Sequence, residues 1–199
     1  MNNSSLSAFD IFCGLAGCDL PDRPVLEQAI SRRQLKPGEA LFLVGEQKAF
    51  AFAVIEGIVK MVYETPGGDV WIKGFAGPGI CFASLTALES QGVTSYSAYA
   101  VAASTIDQVS YPMLEQLASR HLPWQRALSN AFRFYGQRKE QREMELLTLA
   151  PEERYLRFLR TYPELAARIR QRDIASYVRV TPVALSRIRS RLKSKGLID

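Results

Sequence analysis

The sequence has few of the residues that form disulfide scaffolds and metal sites. Its 199 residues include one histidine and three cysteines, Cys13, Cys18 and Cys81, whose spacing is too irregular for a disulfide framework. No apolar stretch approaches the roughly 20 residues of a membrane span, and the N-terminus has no basic segment followed by an apolar run. We therefore expect a protein of the reducing cytoplasm, with no membrane partner.

The motifs of common enzymes are also missing. The sequence has no Gly-x-Ser-x-Gly elbow, no Walker loop and no Cys-His pair with local support. A cupin-type enzyme would hold a metal with two or three barrel histidines, and the predicted strands contain none. We expect no catalytic residues, no metal site and no enzymatic activity.

Positive charge is concentrated in the last quarter of the chain. Residues 1–149 carry 13 Lys+Arg and 15 Asp+Glu, a net charge of −2. Residues 150–199 carry 12 Lys+Arg and 5 Asp+Glu, a net charge of +7. A polyanion would therefore be attracted to the C-terminal segment.

Short β-type runs fill the middle of the sequence. Between residues 36 and 85 they are separated by turn signals every ~8–12 residues, a spacing typical of a sandwich or barrel. A second β group covers residues 93–111, where Tyr96, Ala98 and Ala100 alternate with other side chains at the period of a strand.

Helical patterns lie on both sides of these strands. Residues 6–35 are predicted to be mainly helical, and a long helix is predicted over 123–147. On that helix one apolar stripe has heptad-like spacing, formed by Trp124, Leu128, Ala131 and Tyr135. The stripe could pack on its own β domain or form a dimer seam; we favour the dimer because the helix is longer than a small β domain needs. Pro151 then begins another helix.

The last segment, residues 172–199, has the pattern of two short helices joined by a tight turn. Thr181-Pro182 is a strong start signal, because the threonine oxygen can accept an orphan N–H and proline lacks a donor where none is needed. One face of the second helix is apolar: Leu185, Ile188 and Leu192. The other carries small and basic side chains: Val183, Ser186, Arg187 and Ser190, with Arg191 at the flank. This is the pattern of a helix-turn-helix that enters a DNA major groove.

In order and spacing these motifs resemble the CRP/FNR family of bacterial transcription regulators over essentially the whole chain. The resemblance is most specific in LKPGEALFLVGE with FAVIEGIVKMVYETPGGD, in PEERYLRFL, and in RDIASYVRVTPVALSRIRSRLKSKGLI. It implies an α+β chain in three parts. These are a cyclic-nucleotide-binding-like β-roll (jelly roll) with N-terminal helices over 1–120, a dimerisation helix over 121–149, and a winged-helix-like helix-turn-helix over 150–199 whose wing is short or absent.

The resemblance also implies partners and DNA-binding residues. The partners are double-stranded DNA with a palindromic site, a second copy of the chain, and RNA polymerase. Arg187 matches the family's recognition-helix arginine, which can bond a guanine bidentately. Pro182 and Val183 replace base-reading polar residues, which leaves Val183 free to contact a thymine methyl. The expected phosphate contacts or nearby charges are Thr181, Ser186, Arg189, Arg191, Lys193 and Lys195. Arg179 stands where the family often has glycine, so we expect either a different turn or an unusual φ at Arg179.

The effector pocket departs from the cyclic-nucleotide pattern of the family. Cys81-Phe82 stands in place of Gly-Glu, and Tyr96-Ser97 in place of Arg-Ser. Without that arginine, burying a phosphate charge would be very costly, so we expect no binding of cyclic AMP. Phe75, Phe82, Tyr96 and Tyr99 are expected to be core residues, with an apolar ligand as the alternative. No cofactor is predicted; haem, with His121 as the only histidine, or another small effector stays open.

A different function would use the same features. A β-roll sensor or interaction module could bind a protein or an anionic surface through its basic tail, without DNA sequence specificity. Competition against nonspecific DNA at two salt concentrations separates this alternative from a sequence-specific regulator.

Overall fold

The structure is a computed structural model and describes residues 6–198. Eight strands form two four-stranded antiparallel sheets that pack face to face as a β-roll. The strands are β1 Ser31–Leu35, β2 Ala40–Phe42, β3 Phe50–Glu56, β4 Val59–Glu64, β5 Val70–Ala76, β6 Cys81–Phe82, β7 Ser97–Ala100 and β8 Ser104–Ser110. Their order is β1-β8-β3-β6 in one sheet and β2-β7-β4-β5 in the other, so β5 is an edge strand.

Helices precede and follow the roll. They are α1 Ala8–Ala16, α2 Arg23–Ala29, α3 Tyr111–Arg120, α4 Leu122–Thr148, α5 Pro151–Thr161, α6 Pro163–Arg168, α7 Gln171–Val178 and α8 Pro182–Ser194, with one 3₁₀ turn at Leu85–Leu88. The two-sheet roll, the long helix and the C-terminal helices confirm the predicted fold class. Within residues 6–198, no helix has the length and hydropathy needed to cross a bilayer.

The turn between β3 and β4 requires the glycine that its sequence signal contains. Gly57 has a φ of 87°, in the left-handed region, and a Cβ there would come within 2.2 Å of Ser104 Oγ. The Ser104 hydroxyl accepts a hydrogen bond from the Ile58 N–H at 3.1 Å, so the turn packs tightly on the end of β8. Any larger residue at position 57 would disrupt this contact.

The prediction that residues 6–35 are mainly helical is wrong for its last part. Helix α2 ends at Ala29, and residues 31–35 form β1, which pairs antiparallel with β8. The reason is tertiary. The Arg32 guanidinium bonds the fully buried Asp107 carboxylate at 2.7 and 3.0 Å, a contact that exists only when the strands pair. On α2, Leu26 is buried, whereas its neighbour Val25 is exposed.

Three apolar clusters hold these elements together. One fills the roll between its sheets, with Phe42, Phe52 and Ile106 among its largest side chains. A second joins α1, α3 and the start of α4 to the outer face of β3. The third joins the sheet containing β5 to α5–α8, so the C-terminal helices share a core with the roll.

The long helix predicted over 123–147 is confirmed as α4, but its apolar stripe faces its own chain. Trp124 is buried against α1, and its indole N–H donates to the Pro21 carbonyl oxygen at 3.0 Å. Leu128 is half-buried against the same cluster, and Ala131 and Tyr135 line a cleft beside the roll. The stripe predicted as a dimer seam is therefore largely covered within the chain.

Candidate nucleic-acid interface and effector cleft

Helices α7 and α8 form the predicted helix-turn-helix. Arg179 ends α7 in the left-handed region with φ 62° and ψ 51°, as its position in the turn indicates. The Val180 N–H then donates to the Ala175 carbonyl oxygen at 3.0 Å, which satisfies an orphan acceptor at the helix end. Arg179 adopts this backbone conformation, and its guanidinium carbon lies 3.9 Å from the centre of the Trp71 ring.

The start of α8 follows the sequence signal. The Ala184 N–H donates to Thr181 Oγ1 at 3.1 Å, and Pro182 occupies the first helical position. Pro182 has no N–H, and the Leu185 N–H donates to the Thr181 carbonyl oxygen at 2.9 Å, so the Val183 N–H is the donor of the first turn that has no partner among the described residues and could bond a phosphate.

The apolar face of α8 holds the helix against the shared core. The buried side chains are Leu185, Ile188 and Leu192, which pack with Ile174, Ala175 and Val178 of α7. Because these contacts fix the rotation of α8 about its own axis, the opposite face of the helix points away from the core.

Most residues of the predicted DNA-binding surface lie on that opposite, exposed face. They are Thr181, Pro182, Val183, Ser186, Arg187, Ser190, Arg191 and Lys193. Val183 is 62% exposed, which is unusual for an apolar side chain at the start of a helix. Arg187 and Lys193 form no ion pair with any residue of the described range, 6–198, so their charges face solvent.

The structure places two of the predicted contacts differently. Arg189 lies beside Tyr155 of α5, and its Nε is buried without a hydrogen-bond partner among the described residues, so Arg189 is not on the free surface. Arg191 bonds the Glu152 carboxylate, with Nε at 2.7 Å, and Lys195 approaches the same carboxylate at 3.4 Å. Helix α5 therefore offsets part of the charge at this end of α8.

Helix α7 also packs on the edge of the roll, which the sequence pattern did not indicate. The Ser176 hydroxyl accepts a hydrogen bond from the Ile72 N–H at 2.9 Å and donates one to the Val70 carbonyl oxygen at 2.9 Å, so it covers the free edge of β5. Lys60 and Asp173, both mostly buried, form an ion pair of 3.0 Å across the same contact. A lysine in a strand and an aspartate 113 residues later give no local signal of this pairing.

A cleft of about 1490 Å³ lies between the roll and α4 and continues to α5 and α7. Of the predicted pocket residues, it is lined by Phe75, Cys81, Phe82 and Tyr96. Ser97, which was also predicted to be a pocket residue, does not line the cleft. Its buried hydroxyl instead accepts a hydrogen bond from the Val44 N–H at 3.0 Å, a contact internal to the roll.

The lining residues are also structural. The Tyr96 hydroxyl donates to the Ala83 carbonyl oxygen at 2.8 Å, and its ring lies 5.4 Å from that of Phe42. The Phe75 ring packs against Phe158 and Tyr177 of the C-terminal helices. Burial raises the pKa of the Cys81 thiol to about 12, which keeps it protonated and unreactive.

Sequence reasoning missed Lys73, which lies in the cleft. Its ammonium is 4.7 Å from the centre of the Tyr96 ring and 5.1 Å from that of Tyr135. Burial, together with the positive charges of Lys139 and Arg138, lowers its pKa to about 8. The signal available in the sequence was a single lysine within the otherwise apolar strand β5.

His121, the histidine considered for haem, and the three cysteines lie apart from one another. His121 is outside the cleft, between α3 and α4, where its Nε2 is 2.8 Å from Asp22 Oδ2. Cys13 and Cys18 are on or after α1, and Cys81 is on β6. Across residues 6–198, no three His, Cys, Asp or Glu side chains are grouped as metal ligands.

Comparisons with known proteins agree with this architecture. Residues 32–121 match the family described as Cyclic nucleotide-binding domain. FixK2 from Bradyrhizobium japonicum has a TM-score of 0.76 at 22% identity, covering 85% of this chain and 87% of that chain. A CooA mutant from Carboxydothermus hydrogenoformans has a TM-score of 0.75 at 12% identity, covering 98% and 88%. A CRP-family transcriptional regulator from Thermus thermophilus has a TM-score of 0.67 at 22% identity, covering 84% and 87%.

No curated protein sequence matches the chain significantly. The structural relatives include this transcriptional regulator and a putative transcriptional regulator of the CRP/FNR family from Eubacterium rectale. Residues 32–121 are therefore similar to the cyclic nucleotide-binding domain family, and the chain has the overall fold of CRP/FNR-type transcription regulators.

Proposed function

We propose that the chain is a sequence-specific DNA-binding transcription regulator of the CRP/FNR type, acting in the cytoplasm as a homodimer. The observation that carries the proposal is the exposed face of α8. Along this face, after the capped N-terminus of the helix, lie Val183, Ser186, Arg187 and Ser190. Because the side chains beside Arg187 are small, the helix axis can come close to the base edges of a major groove.

The side chains of this face suit different parts of the duplex. Arg187 has no intramolecular partner among residues 6–198, and its guanidinium can bond O6 and N7 of a guanine. Val183 can contact a thymine methyl, which is an apolar contribution to sequence preference. Thr181, Ser186, Ser190 and Lys193 can bond phosphates, which fixes the position of the helix without selecting a sequence.

The proposed dimer uses the face of α4 that the chain leaves uncovered. Phe132 and Leu146 are 41% and 38% exposed and lie two heptads apart, so they share one side of the helix. Two copies joined along this face would present two α8 helices to half-sites about one DNA turn apart. In this proposal residues 1–120 sense, 121–149 dimerise and 150–199 bind DNA, and the bound dimer contacts RNA polymerase.

In this proposal the protein does not bind or respond to cyclic AMP. Phe82 and Tyr96 line the cleft, and neither can pair with a ribose hydroxyl and a cyclic phosphate as a carboxylate and a guanidinium would. Isothermal titration should detect no binding of cyclic AMP at micromolar concentrations. A micromolar dissociation constant would contradict this part of the proposal.

The test of DNA binding compares three variants on a duplex selected from random sequence. Arg187→Ala should weaken binding to the selected duplex by about 1–3 kcal/mol while leaving nonspecific binding nearly unchanged. Lys193→Ala should weaken binding to every duplex alike. It should also reduce the slope of log K against log salt concentration by the amount that corresponds to about one phosphate contact. Lys36→Ala removes an equal charge from an exposed turn of the roll and should change neither quantity.

Fluorescence anisotropy at two salt concentrations measures all three effects. If Arg187→Ala and Lys193→Ala cause the same uniform loss, the assignment of Arg187 to base recognition is wrong. If the protein selects no duplex and binds anionic surfaces or proteins equally well, the interaction-module alternative replaces the regulator.

A further inference from the structure

Lys73 is a half-buried cation that the proposed DNA-binding function does not use. It lies in the middle of β5, and its ammonium is held between the faces of the Tyr96 and Tyr135 rings, 4.7 and 5.1 Å from their centres. Within residues 6–198 it forms no salt bridge and no hydrogen bond to a carboxylate. A desolvated charge without a counter-charge is costly to keep, and ring faces compensate only part of that cost.

The groups around Lys73 are also positively charged, which makes a nearby negative charge more favourable. Arg138 and Lys139 on α4 are the charged groups that act on it most strongly, and both are positive. Two acidic side chains line the same cleft, Glu143 and Glu145, but Glu145 is paired with Arg157 at 2.8 Å and Glu143 lies exposed on α4. The cleft is therefore cationic at the position of Lys73.

The walls around this cation are apolar and largely aromatic. Those near β4–β6 and α4 are Met61, Tyr63, Ile80, Phe82, Phe134 and Tyr135. Rings in this arrangement favour a flat aromatic guest through offset or edge-to-face contacts, and the cleft is larger than such a guest requires.

We infer that the cleft binds a small aromatic monoanion, with its carboxylate, sulfonate or phenolate oxygens against the Lys73 ammonium and its rings among the apolar walls. The inference goes beyond the proposed function, because it names the chemical class of the ligand and the residue that selects it. It does not depend on DNA binding, and its test uses no DNA.

The charge of Lys73 can be changed by pH without altering its neighbours. Its pKa is about 8, whereas burial raises the pKa values of Tyr63, Tyr96 and Tyr135 above their usual range and that of Cys81 to about 12. From about pH 7 to about pH 9, Lys73 goes from mostly charged to mostly neutral while these groups stay neutral. Binding of an anion should therefore weaken about tenfold over this interval.

The experiment uses two fluorescent probes with the same rings. Anilinonaphthalene sulfonate is a monoanion, and N-phenylnaphthylamine is its uncharged analogue. Fluorescence titration of the full-length protein should show that Lys73→Met weakens sulfonate binding about tenfold or more and changes binding of the neutral probe less than about twofold. Lys73→Arg should keep sulfonate binding, and Lys36→Met, the matched control on an exposed turn, should change neither probe.

Two results would overturn the inference. One is an equal loss of both probes in Lys73→Met, because the cleft would then have changed shape and not charge. The other is sulfonate binding to the wild-type protein that does not change between pH 7 and pH 9. This second measurement needs no variant, so it decides the question even if Lys73→Met does not fold.

Discussion

At the residue scale, the partners of each arginine decide which of them can reach DNA. Arg187 projects from the exposed face of α8 with no ion pair among residues 6–198. Arg191 is tied to Glu152 of α5, and Arg189 is partly buried beside Tyr155. A cation that already has a protein partner must lose it to bind a phosphate, so its net contribution is small. Arg187 is therefore the side chain on which sequence preference should depend.

Lys73 makes a prediction about stability at the same scale. Because burial lowers its pKa from the ordinary 10.5 to about 8, the unfolded chain binds more protons than the folded chain between these values. The contribution of Lys73 to stability is therefore unfavourable at pH 7 and improves as the pH rises from about 8 to 10.5. Lys73→Met should raise the free energy of unfolding at pH 7 by about 1–3 kcal/mol.

Urea denaturation at pH 7 and pH 9 measures this effect, and the advantage of the variant should shrink at the higher pH. Lys36→Met should change the free energy of unfolding by less than about 0.5 kcal/mol, because the side chain is exposed. A Lys73→Met protein that is less stable than the wild type at pH 7 would show that the ammonium has a favourable partner.

The sequence predicts backbone features of single residues better than side-chain directions. The Thr181 cap and the left-handed Arg179 depend on residues within three or four positions, and both agree with the structure. Ser97 and Arg189 depend on which neighbour approaches from elsewhere in the chain, and the predictions for both differ from the structure. Lys73 was missed for the same reason, since its rings come from Tyr96, just before β7, and from Tyr135 on α4.

At the scale of elements, long periodic segments are predictable and short ones are not. Helix α4 was predicted to within one residue at each end, because 27 residues give several turns of consistent pattern. The five residues of β1 continue a helical sequence without a break and become a strand only by pairing with β8. The side of α4 that its own chain covers was likewise fixed by contacts with α1, which no local pattern contains.

The uncovered face of α4 makes the prediction for assembly. Phe132→Glu places a charge in the proposed seam between two copies, so it should shift the protein from dimer to monomer at micromolar concentration. Sedimentation velocity measures the change. Phe134→Glu is the control, because Phe134 is 58% exposed and lies about 200° around the helix axis from Phe132, so it should leave the dimer intact. A protein that is monomeric before substitution, or equally dimeric in both variants, would rule out this seam.

At the scale of the whole molecule, the C-terminal helices and the roll are joined along the edge of β5. Tyr177 lies in the shared core, and the adjoining backbone is held by side chains of other helices: Arg154 Nε donates to the Val178 carbonyl oxygen at 2.9 Å. The cleft lies beside the same strand and reaches Tyr177. Tyr177 and residues of β5 therefore both line the cleft and hold α7 in place.

The ion pair across this contact predicts how strongly the two parts are joined. Asp173→Asn leaves the mostly buried Lys60 ammonium without a counter-charge, so the free energy of unfolding should fall by about 3 kcal/mol. Adding Lys60→Met should recover a large part of the loss, because the unpaired charge is removed. The control is Glu27→Gln in the exposed Arg23–Glu27 pair, which should cost less than about 1 kcal/mol. Equal losses at the two pairs would show that the contact between α7 and β5 contributes little.

Selection of duplexes from a random-sequence library tests the central claim most directly. The account predicts that the full-length protein enriches an inverted repeat whose half-sites are about one helical turn apart, each containing a guanine that Arg187→Ala no longer selects. Enrichment of no sequence, or of a site without two-fold symmetry that Arg187→Ala selects equally well, would contradict the claim.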